Sequence, residues 1–236
     1  MVPCCMILCG GKGTRLAPVT GNMPKALAKV GGQPFIYFLL EQIHQAEIRL
    51  AILCTGVGAQ QIESELGDWY KDVKLVYSRE SKPLGTAGAL RNALGYANSD
   101  EILILNGDSF CQQDLSGFIR WHRDQKNEVS LLTTHSQDTF RFGKVNSSAG
   151  GRIVSFCPKG HESAPGTINA GIYLIPVSLL AQIPQDAFAS LENDYFPSWA
   201  REKRMWAYLA KGPFIDIGTP ESFAEAQNFF SPKVAQ

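Results

Sequence analysis

The N-terminal stretch Met6-Ile7-Leu8-Cys9-Gly10-Gly11-Lys12-Gly13-Thr14-Arg15-Leu16, followed by Pro24-Lys25, decides how the rest of the chain is organised. Its apolar run predicts a buried first strand, and its three closely spaced glycines let the backbone turn sharply and expose N–H groups beyond that strand. Thr14 adds a hydroxyl donor, and Arg15 and Lys25 add two cations. This combination is typical of a site that binds a polyphosphate.

Two well-known phosphate-binding motifs each differ from this stretch at one position. The dinucleotide fingerprint needs a third glycine where Leu16 stands, and the P-loop needs serine or threonine where Gly13 stands. A nicotinamide-dependent oxidoreductase would also need an acidic residue about 20 positions further on. For the stretch taken alone, the remaining alternative is a glycine turn with solvated charges.

The apolar periodicity of the chain predicts an α/β fold. Strand-like runs alternate with helical patterns up to about residue 135, which is the rhythm of a Rossmann-like, open, mostly parallel sheet with helices on both faces. From about Phe140, hairpin patterns around glycine turns predict a small β-rich part. Further helices are expected at 115–125, with His122 exposed, at 191–204, and from Thr219 to about Phe230.

The stretch from Gly10 to Thr20, followed by Pro24-Lys25, resembles the signature of the sugar-phosphate nucleotidyltransferases, GGxGTRLxPxT followed by PK. Later segments occur in that family's order and at its approximate spacing: PLGTAGA, NGD, FG, NAGIY and FIDIGTPE. The resemblance implies the nucleotide-diphospho-sugar transferase fold. It also implies transfer of a nucleotidyl group from a nucleoside triphosphate to a sugar 1-phosphate, with release of pyrophosphate.

Within the family, LCGGxGTRL, PLGTxGA, LNGDSF and SLENDYFP resemble most the guanylyltransferases of D-glycero-α-D-manno-heptose 1-phosphate. Mannose 1-phosphate guanylyltransferases and N-acetylmuramate 1-phosphate uridylyltransferases share most of these motifs and stay open as alternatives. The resemblance implies a single domain over 1–236, with a nucleotide-binding half over about 1–135 and a sugar-phosphate-binding half over about 136–236. A non-catalytic nucleotide-sensing subunit is the alternative from another class.

The predicted site residues fall into four groups. Arg15, Lys25 and Asp108 are the expected catalytic residues. Asp108 follows a buried strand and is a natural ligand for Mg²⁺, the expected cofactor, with Asp216 converging on the same ion. The nucleotide-binding residues are expected to be Leu8, Gly10, Gly11, Gly13, Thr14, Glu80, Pro83, Gly85, Thr86 and Gly107. The sugar-phosphate-binding residues are expected to be Gly143, Lys159, Asn169 and Glu192.

Glu80 carries the prediction of the base. It lies where the resemblance places a side chain that reads the Watson–Crick edge, and a carboxylate accepts from two adjacent donors such as those of guanine. This favours GTP over UTP, the alternative being a solvated surface carboxylate beside Arg79 and Lys82. One departure concerns the sugar: the family often has a Glu-Lys pair after the hairpin phenylalanine, but here Phe156 is followed by Cys-Pro-Lys159.

The composition of the chain limits the kinds of molecule that it is expected to bind. The 22 basic and 22 acidic residues give a formal net charge of zero, so no basic field for nucleic acid or an anionic membrane exists. The six cysteines lack the spacing of a zinc site and are expected to be buried thiols in a reducing compartment. No apolar run is long enough to span a membrane, and no leader is evident, so a cytoplasmic protein is expected. A homo-oligomer stays open.

Overall fold

The computed structural model describes residues 2–11, 13–21, 23–161 and 163–231. Strands and helices alternate in the N-terminal half as predicted. The strands, in chain order, are β1 Cys4–Leu8, β2 Lys29–Val30, β3 Gln33–Pro34, β4 Leu50–Thr55, β5 Trp69–Tyr70, β6 Val73–Arg79, β7 Glu101–Asn106, β8 Ser109–Cys111, β9 Val129–Ser136, β10 Lys144–Ser147, β11 Ile153–Cys157, β12 Gly166–Pro176, β13 Met205–Leu209 and β14 Phe214–Asp216.

The helices follow the predicted periodicity, with short 3₁₀ turns at Lys25–Leu27 and Leu94–Tyr96 and a π-helical turn at Leu191–Tyr195. They are α1 Ala17–Thr20, α2 Ile36–Gln45, α3 Ala59–Leu66, α4 Gly85–Ala93, α5 Leu115–Asp124, α6 Val177–Leu180, α7 Phe196–Arg201 and α8 Pro220–Phe230. The Thr219 hydroxyl accepts from the Ser222 N–H and caps α8, with Pro220 at the first helical position. The predicted start of the last helix is therefore confirmed.

One large sheet forms the centre of the molecule. Strands β7, β1, β4 and β6 lie side by side and parallel, with Met6 opposite Ile52 and Ile104. The long strand β12 runs antiparallel to β7 and also pairs with β9 and β10, so the β10–β11 hairpin joins the same sheet. The large sheet is mixed around a parallel centre, and the expected fold class is confirmed.

Both faces of the sheet are covered by helices, because neighbouring residues of each central strand point to opposite sides. In β1, Cys5 and Ile7 pack into the cluster that contains α2, α3 and α5, whereas Cys4 and Met6 pack into the cluster that contains α4 and α7. A strand that is buried on both faces reads as a continuous apolar run, as this one does. Five of the six cysteines are buried, and Cys157 is half-buried.

His122 is not exposed, contrary to the expectation. Its side chain is 2% exposed, and its Nδ1 lies 2.7 Å from the Ser130 hydroxyl while its Nε2 lies 3.4 Å from a Glu101 carboxylate oxygen. Burial lowers the pKa of His122, and the Glu101 charge opposes that shift. The histidine is one turn beyond Phe118 on the apolar face of α5, so helical spacing places it inside.

The boundaries of two helices also differ from the prediction. The helix expected at 191–204 is a π-helical turn followed by α7, and it ends at Arg201 because Lys203 adopts a left-handed conformation. The apolar period after Pro34 predicts a helix that starts at this proline, but Pro34 belongs to β3 and α2 begins two residues later. Among the described residues, no helix has the length and apolar character needed to cross a membrane.

Candidate functional site

A cleft opens where the parallel strands end, which is where ligands bind in open α/β sheets. Its larger part encloses about 800 Å³, a volume suited to a nucleotide. A smaller cavity adjoins it, and the two share Asn106, Asp108, Lys159 and Glu192 as lining residues. The cleft is therefore continuous from the glycine loop to the β-rich side.

The structure brings most of the predicted site residues to this cleft. The larger part is lined by Leu8, Gly10, Gly11, Lys25, Glu80, Pro83, Gly85, Thr86, Gly107, Asp108, Lys159 and Glu192. The smaller cavity is lined by Arg15, Gly143, Asn169 and Asp216, with Asp108, Lys159 and Glu192 again. Of the predicted loop residues that the structure describes, Gly13 and Thr14 line neither cavity.

Two of the glycines are required by close packing at the edge of the cleft. Gly85 has a φ of +71°, and a Cβ there would lie 2.4 Å from the Ala189 carbonyl oxygen. A Cβ on Gly107 would lie 2.6 Å from the Leu8 carbonyl oxygen. Both contacts are shorter than non-bonded atoms tolerate, so any larger residue would displace the backbone that forms the cleft.

Lys25 and Asp108 form an ion pair at the centre of the cleft. Lys25 Nζ lies 2.6 Å from Asp108 Oδ2, with the lysine side chain 15% exposed and the aspartate 43% exposed toward the cleft. Desolvation raises the pKa of Asp108, but the charge and hydrogen bond of Lys25, helped by Lys159 and Arg15, hold it below its usual value. Asp108 is therefore ionised and surrounded by cations.

Asp216 lies next to Asp108 because strands β8 and β14 pair in antiparallel fashion. Asp216 is opposite Ser109, and the Ile217 N–H donates to the Asp108 carbonyl oxygen at 2.9 Å. The Asp216 carboxylate, 14% exposed, accepts from Arg141 Nη2 at 2.9 and 2.8 Å and from the Gly218 N–H at 2.7 Å. Two carboxylates thus face one cavity, each held by a basic side chain.

These two carboxylates fit a magnesium ion that is bound together with its substrate. Mg²⁺ uses one or two carboxylates plus phosphate oxygens and waters, rather than a cage of protein ligands. Within the described ranges, no cluster of three or more His, Cys, Asp or Glu side chains is arranged to hold a metal. Asp108 and Asp216 are therefore the residues that would hold Mg²⁺ here, with the phosphates completing its shell.

Glu80 stands at the opposite end of the cleft, beside the glycine loop. Its Oε2 accepts from the Leu84 N–H at 2.9 Å, and its Oε1 lies 2.9 Å from where a Cβ on Gly10 would be. Burial raises the pKa of Glu80, and the bond from Leu84 opposes that shift. Oε2 therefore anchors the side chain to the loop, and Glu80 also lines the cleft.

A hydrogen-bonded cluster forms the β-rich end of the cleft. Asn169 Nδ2 lies 2.8 Å from both the Tyr173 hydroxyl and Glu192 Oε1, while its Oδ1 accepts from the Gly171 N–H at 2.8 Å. The irregular register of β12 between Asn169 and Tyr173 turns this amide into the cavity. Desolvation raises the pKa of Glu192, with Lys159 and Asn169 opposing. Amide and carboxylate groups of this kind suit hydroxyl groups of a sugar.

The two ends of the cleft are joined by backbone hydrogen bonds. The Ala189 N–H donates to the Leu84 carbonyl at 2.8 Å, and the Ala87 N–H donates to the Ala189 carbonyl at 2.9 Å. The Leu191 N–H donates to the Thr86 hydroxyl at 2.8 Å. The start of α4 and the segment before Glu192 therefore form one packed unit.

Sequence reasoning missed Arg141, Tyr173 and Phe188, all of which line the cleft. Arg141 immediately precedes Phe142-Gly143, the FG segment of the family, and this adjacency is the sequence feature that could have identified it. Tyr173 ends the NAGIY segment, but the contact of its hydroxyl with Asn169 depends on strand pairing that cannot be read from the sequence. Phe188 is 73% exposed in a segment with no motif, and nothing in the sequence marks it.

Comparison with known proteins identifies the family of this chain. A family model for nucleotidyl transferases matches residues 4–232. Among curated proteins, the chain is 33% identical over 221 residues to a mannose-1-phosphate guanylyltransferase of Mycobacterium tuberculosis, covering 92% of this chain but 62% of that protein. It is 30% identical over 222 residues to the D-glycero-alpha-D-manno-heptose 1-phosphate guanylyltransferase of Aneurinibacillus thermoaerophilus, covering 94% of this chain and 96% of that protein.

Among solved structures, the chain is similar to HddC from Yersinia pseudotuberculosis, with a TM-score of 0.85 and 32% identity over 98% of this chain and 100% of that one. The same protein complexed with GMP-PN gives a TM-score of 0.84 at 31% identity over 98% of this chain and 100% of that one. The family match spans nearly all of the described residues, including the glycine loop and both cleft carboxylates. The chain belongs to the nucleotidyl transferase family.

Proposed function

We propose that this protein transfers a guanylyl group from GTP to a sugar 1-phosphate, giving a GDP-sugar and pyrophosphate. The observation that carries the proposal is the centre of the cleft, where Lys25 pairs with Asp108 and where Arg15 and Lys159 add positive charge. This arrangement suits two phosphate-bearing substrates that must approach each other. The nucleotide would occupy the half formed by residues 1–135 and the sugar phosphate the half formed by residues 136–236.

The chemistry requires positioning more than proton transfer. A sugar phosphate has a second pKa of about 6, so at neutral pH it is mostly dianionic and can attack without a general base. Its oxygen forms a new bond to the α-phosphorus as the bond from that phosphorus to the bridging oxygen of pyrophosphate breaks. Negative charge grows on both sides of the α-phosphate, and fixed cations there stabilise the transition state.

Each polar residue then has a defined role. We propose that Arg15 binds the α-phosphate and the leaving pyrophosphate. Lys25 would bind the phosphates of the nucleotide and the incoming nucleophile. Lys159 would hold the phosphate of the sugar. Asp108 and Asp216 would hold Mg²⁺, which would neutralise phosphate charge and orient the triphosphate.

The choice of GTP rests on Glu80, which lines the cleft and whose Oε1 takes no part in the hydrogen bond from Leu84. Guanine presents two adjacent donors on its Watson–Crick edge, whereas uracil presents one donor between two acceptors. The solved structure with GMP-PN belongs to a protein that is 31% identical, which supports the same choice here.

For the sugar, we favour D-glycero-α-D-manno-heptose 1-phosphate. The LCGGxGTRL, PLGTxGA, LNGDSF and SLENDYFP segments resemble that branch most, and a heptose 1-phosphate guanylyltransferase is 30% identical to this chain over 222 residues. Asn169 and Glu192 would bind sugar hydroxyls, because the carboxylate that often follows the hairpin phenylalanine is missing at Cys157. Mannose 1-phosphate and N-acetylmuramate 1-phosphate are the alternatives, and a cytoplasmic location stays a prediction.

A coupled pyrophosphate-release screen tests the proposal. GTP, UTP, dTTP and ATP are each combined with the 1-phosphates of manno-heptose, mannose and N-acetylmuramate, with Mg²⁺ present. We expect the highest kcat/KM for GTP with manno-heptose 1-phosphate. Release only with UTP would contradict the base assignment. Nucleotide binding without pyrophosphate release from any pair would favour the non-catalytic nucleotide-sensing subunit.

A further inference from the structure

Arg141 lies between the end of β9 and the β10–β11 hairpin, and its guanidinium contacts one of the proposed metal ligands. Its Nη2 donates to both oxygens of Asp216, at 2.9 and 2.8 Å, and to the Ser222 hydroxyl at 3.1 Å. The guanidinium lies over the Phe142 ring, 5.3 Å from its centroid. It lines the smaller cavity, so this ion pair is part of the cleft.

The pair lacks the two-nitrogen geometry of the strongest arginine–carboxylate salt bridges. Strong arginine–carboxylate pairs place two nitrogens of the guanidinium fork against the two carboxylate oxygens. Here a single nitrogen serves both oxygens, while Arg141 Nε is buried and has no hydrogen-bond partner among the described residues. Arg141 therefore holds Asp216 with only part of its donor capacity and retains donors for another acceptor.

The same arrangement recurs at Asp108, whose carboxylate is held by Lys25 at 2.6 Å. A Cβ on Gly218 would lie 2.5 Å from Asp216 Oδ2 and 3.6 Å from Lys25 Nζ, so the two ion pairs are adjacent. Two carboxylates are thus balanced by two side-chain cations. A divalent ion that takes both carboxylates supplies the same charge and releases both cations toward the phosphates.

We propose that Arg141 is a displaceable counter-ion of Asp216, which yields the carboxylate to Mg²⁺ and then binds the phosphate of the incoming sugar 1-phosphate. The inference rests on the proposed function, in which Asp216 is a metal ligand. Arg141 becomes a substrate-binding residue that is withheld until the metal arrives. Metal and sugar phosphate should then bind cooperatively, because the first releases a ligand for the second.

A structural role for Arg141 predicts the opposite effect on the metal. If Arg141 only fixes the position of Asp216, then its removal should weaken metal binding, because the carboxylate would lose its orientation. If Arg141 competes with the metal, then its removal should strengthen metal binding, because no guanidinium has to be displaced. The sign of one measurement separates the two roles.

The experiment titrates Mn²⁺ into the full chain in the presence of GTP and without sugar 1-phosphate, using water-proton relaxation to obtain the Kd of the metal in the nucleotide complex. Arg141→Gln is compared with the wild type and with Arg152→Gln, which removes the same charge from a guanidinium over the Trp206 ring outside the cleft. We expect Arg141→Gln to lower the Mn²⁺ Kd by roughly five- to tenfold, because the substitution removes one partly exposed positive charge beside the metal site. Arg152→Gln should leave Kd unchanged.

Asp216→Asn and the double variant Asp216→Asn/Arg141→Gln separate this inference from the proposed function. If Asp216→Asn does not weaken Mn²⁺ binding, then the metal role of Asp216 fails and the inference fails with it. If Asp216→Asn weakens binding but Arg141→Gln weakens it too or has no effect, then only the inference is overturned. In the double variant, the gain from Arg141→Gln should disappear.

A second readout concerns the sugar phosphate. With saturating Mg²⁺ and GTP, Arg141→Gln should raise the KM for the sugar 1-phosphate by about tenfold or more and leave the KM for GTP nearly unchanged. An unchanged KM for the sugar 1-phosphate would overturn the phosphate-binding half of the inference. Circular dichroism checks that the variants keep the wild-type fold.

Discussion

Replacing Glu80 with glutamine should change which base the enzyme prefers. The substitution keeps the shape of the side chain and, through its amide oxygen, the hydrogen bond from the Leu84 N–H that measures 2.9 Å in the wild type. The amide nitrogen then replaces Oε1 at the edge of the cleft beside Gly10. The two N–H donors of guanine would then meet an N–H donor of the protein, where the wild type offers an acceptor.

The expected cost follows from that single exchange. Leaving a buried donor without an acceptor costs about 1 to 3 kcal/mol, and because Glu80 is half-buried we take about 2 kcal/mol. This corresponds to a loss of about 30-fold in kcat/KM for GTP. The loop itself should be unaffected, because the hydrogen bond from the Leu84 N–H to residue 80 remains.

The assay compares kcat/KM for GTP, ITP and UTP at fixed sugar 1-phosphate and Mg²⁺. ITP lacks the 2-amino group, so the wild type should prefer GTP to ITP, and Glu80→Gln should reduce that preference together with the preference over UTP. Glu63→Gln, an equivalent change at a carboxylate paired with Arg79 outside the cleft, is the matched control and should leave all three values unchanged. If the wild type prefers UTP, or if Glu80→Gln keeps the GTP to ITP ratio, then Glu80 does not read the base.

Three further predictions concern the phosphate-binding centre. Arg15→Ala and Lys25→Ala should each lower kcat by about a hundredfold or more without unfolding the protein, because fixed cations act on transition-state charge; near-normal turnover in a pre-steady-state assay would remove that residue from the mechanism. Asp108→Asn and Asp216→Asn should each raise the Mg²⁺ concentration needed for half-maximal rate, and an unchanged Mg²⁺ titration for Asp216→Asn would leave it the role of anchoring Gly218 and Arg141. Lys25→Met should raise the pKa of Asp108, because desolvation raises that pKa and Lys25 is the main group that lowers it. A carboxylate with a lowered pKa contributes stability above its unfolded-state pKa and loses it as pH falls through the folded-state pKa. The variant should therefore lose that contribution at a higher pH than the wild type, and identical carboxyl ¹³C titrations of Asp108 in the two proteins would contradict this.

The parts of the fold that could be predicted are those fixed by local pattern. The runs at Leu50–Cys54 and Ile102–Leu105 are apolar throughout because both faces of these strands are covered, and a continuous apolar run is visible without knowing its neighbours. The start of α8 was readable because Thr219 and Pro220 act through the first helical turn alone. Such signals depend on a few adjacent residues.

The parts that could not be predicted depend on contacts between distant segments. The exposure of His122 was misjudged because its polar ring suggested solvent, whereas Ser130 on the next strand supplies a partner inside the core. The site motifs mark Asp108 and Asp216, but the pairing of β8 with β14 brings the two residues together, and their ion pairs with Lys25 and Arg141 join distant segments. An ion pair between residues 75 positions apart leaves no local trace in the sequence.

The hydrogen bonds between the start of α4 and the segment at Ala189 have a consequence for how this enzyme can acquire new substrates. Thr86, on the proposed nucleotide side, holds the Leu191 N–H, and Glu192, on the proposed sugar side, is the next residue along the chain. A substitution that widens the sugar pocket by moving this segment also moves Thr86. Residues in direct contact have non-additive mutational effects. Mutations that change sugar preference are therefore expected to change nucleotide affinity as well. Selection for a new sugar alone would require compensating substitutions in α4 that restore nucleotide binding.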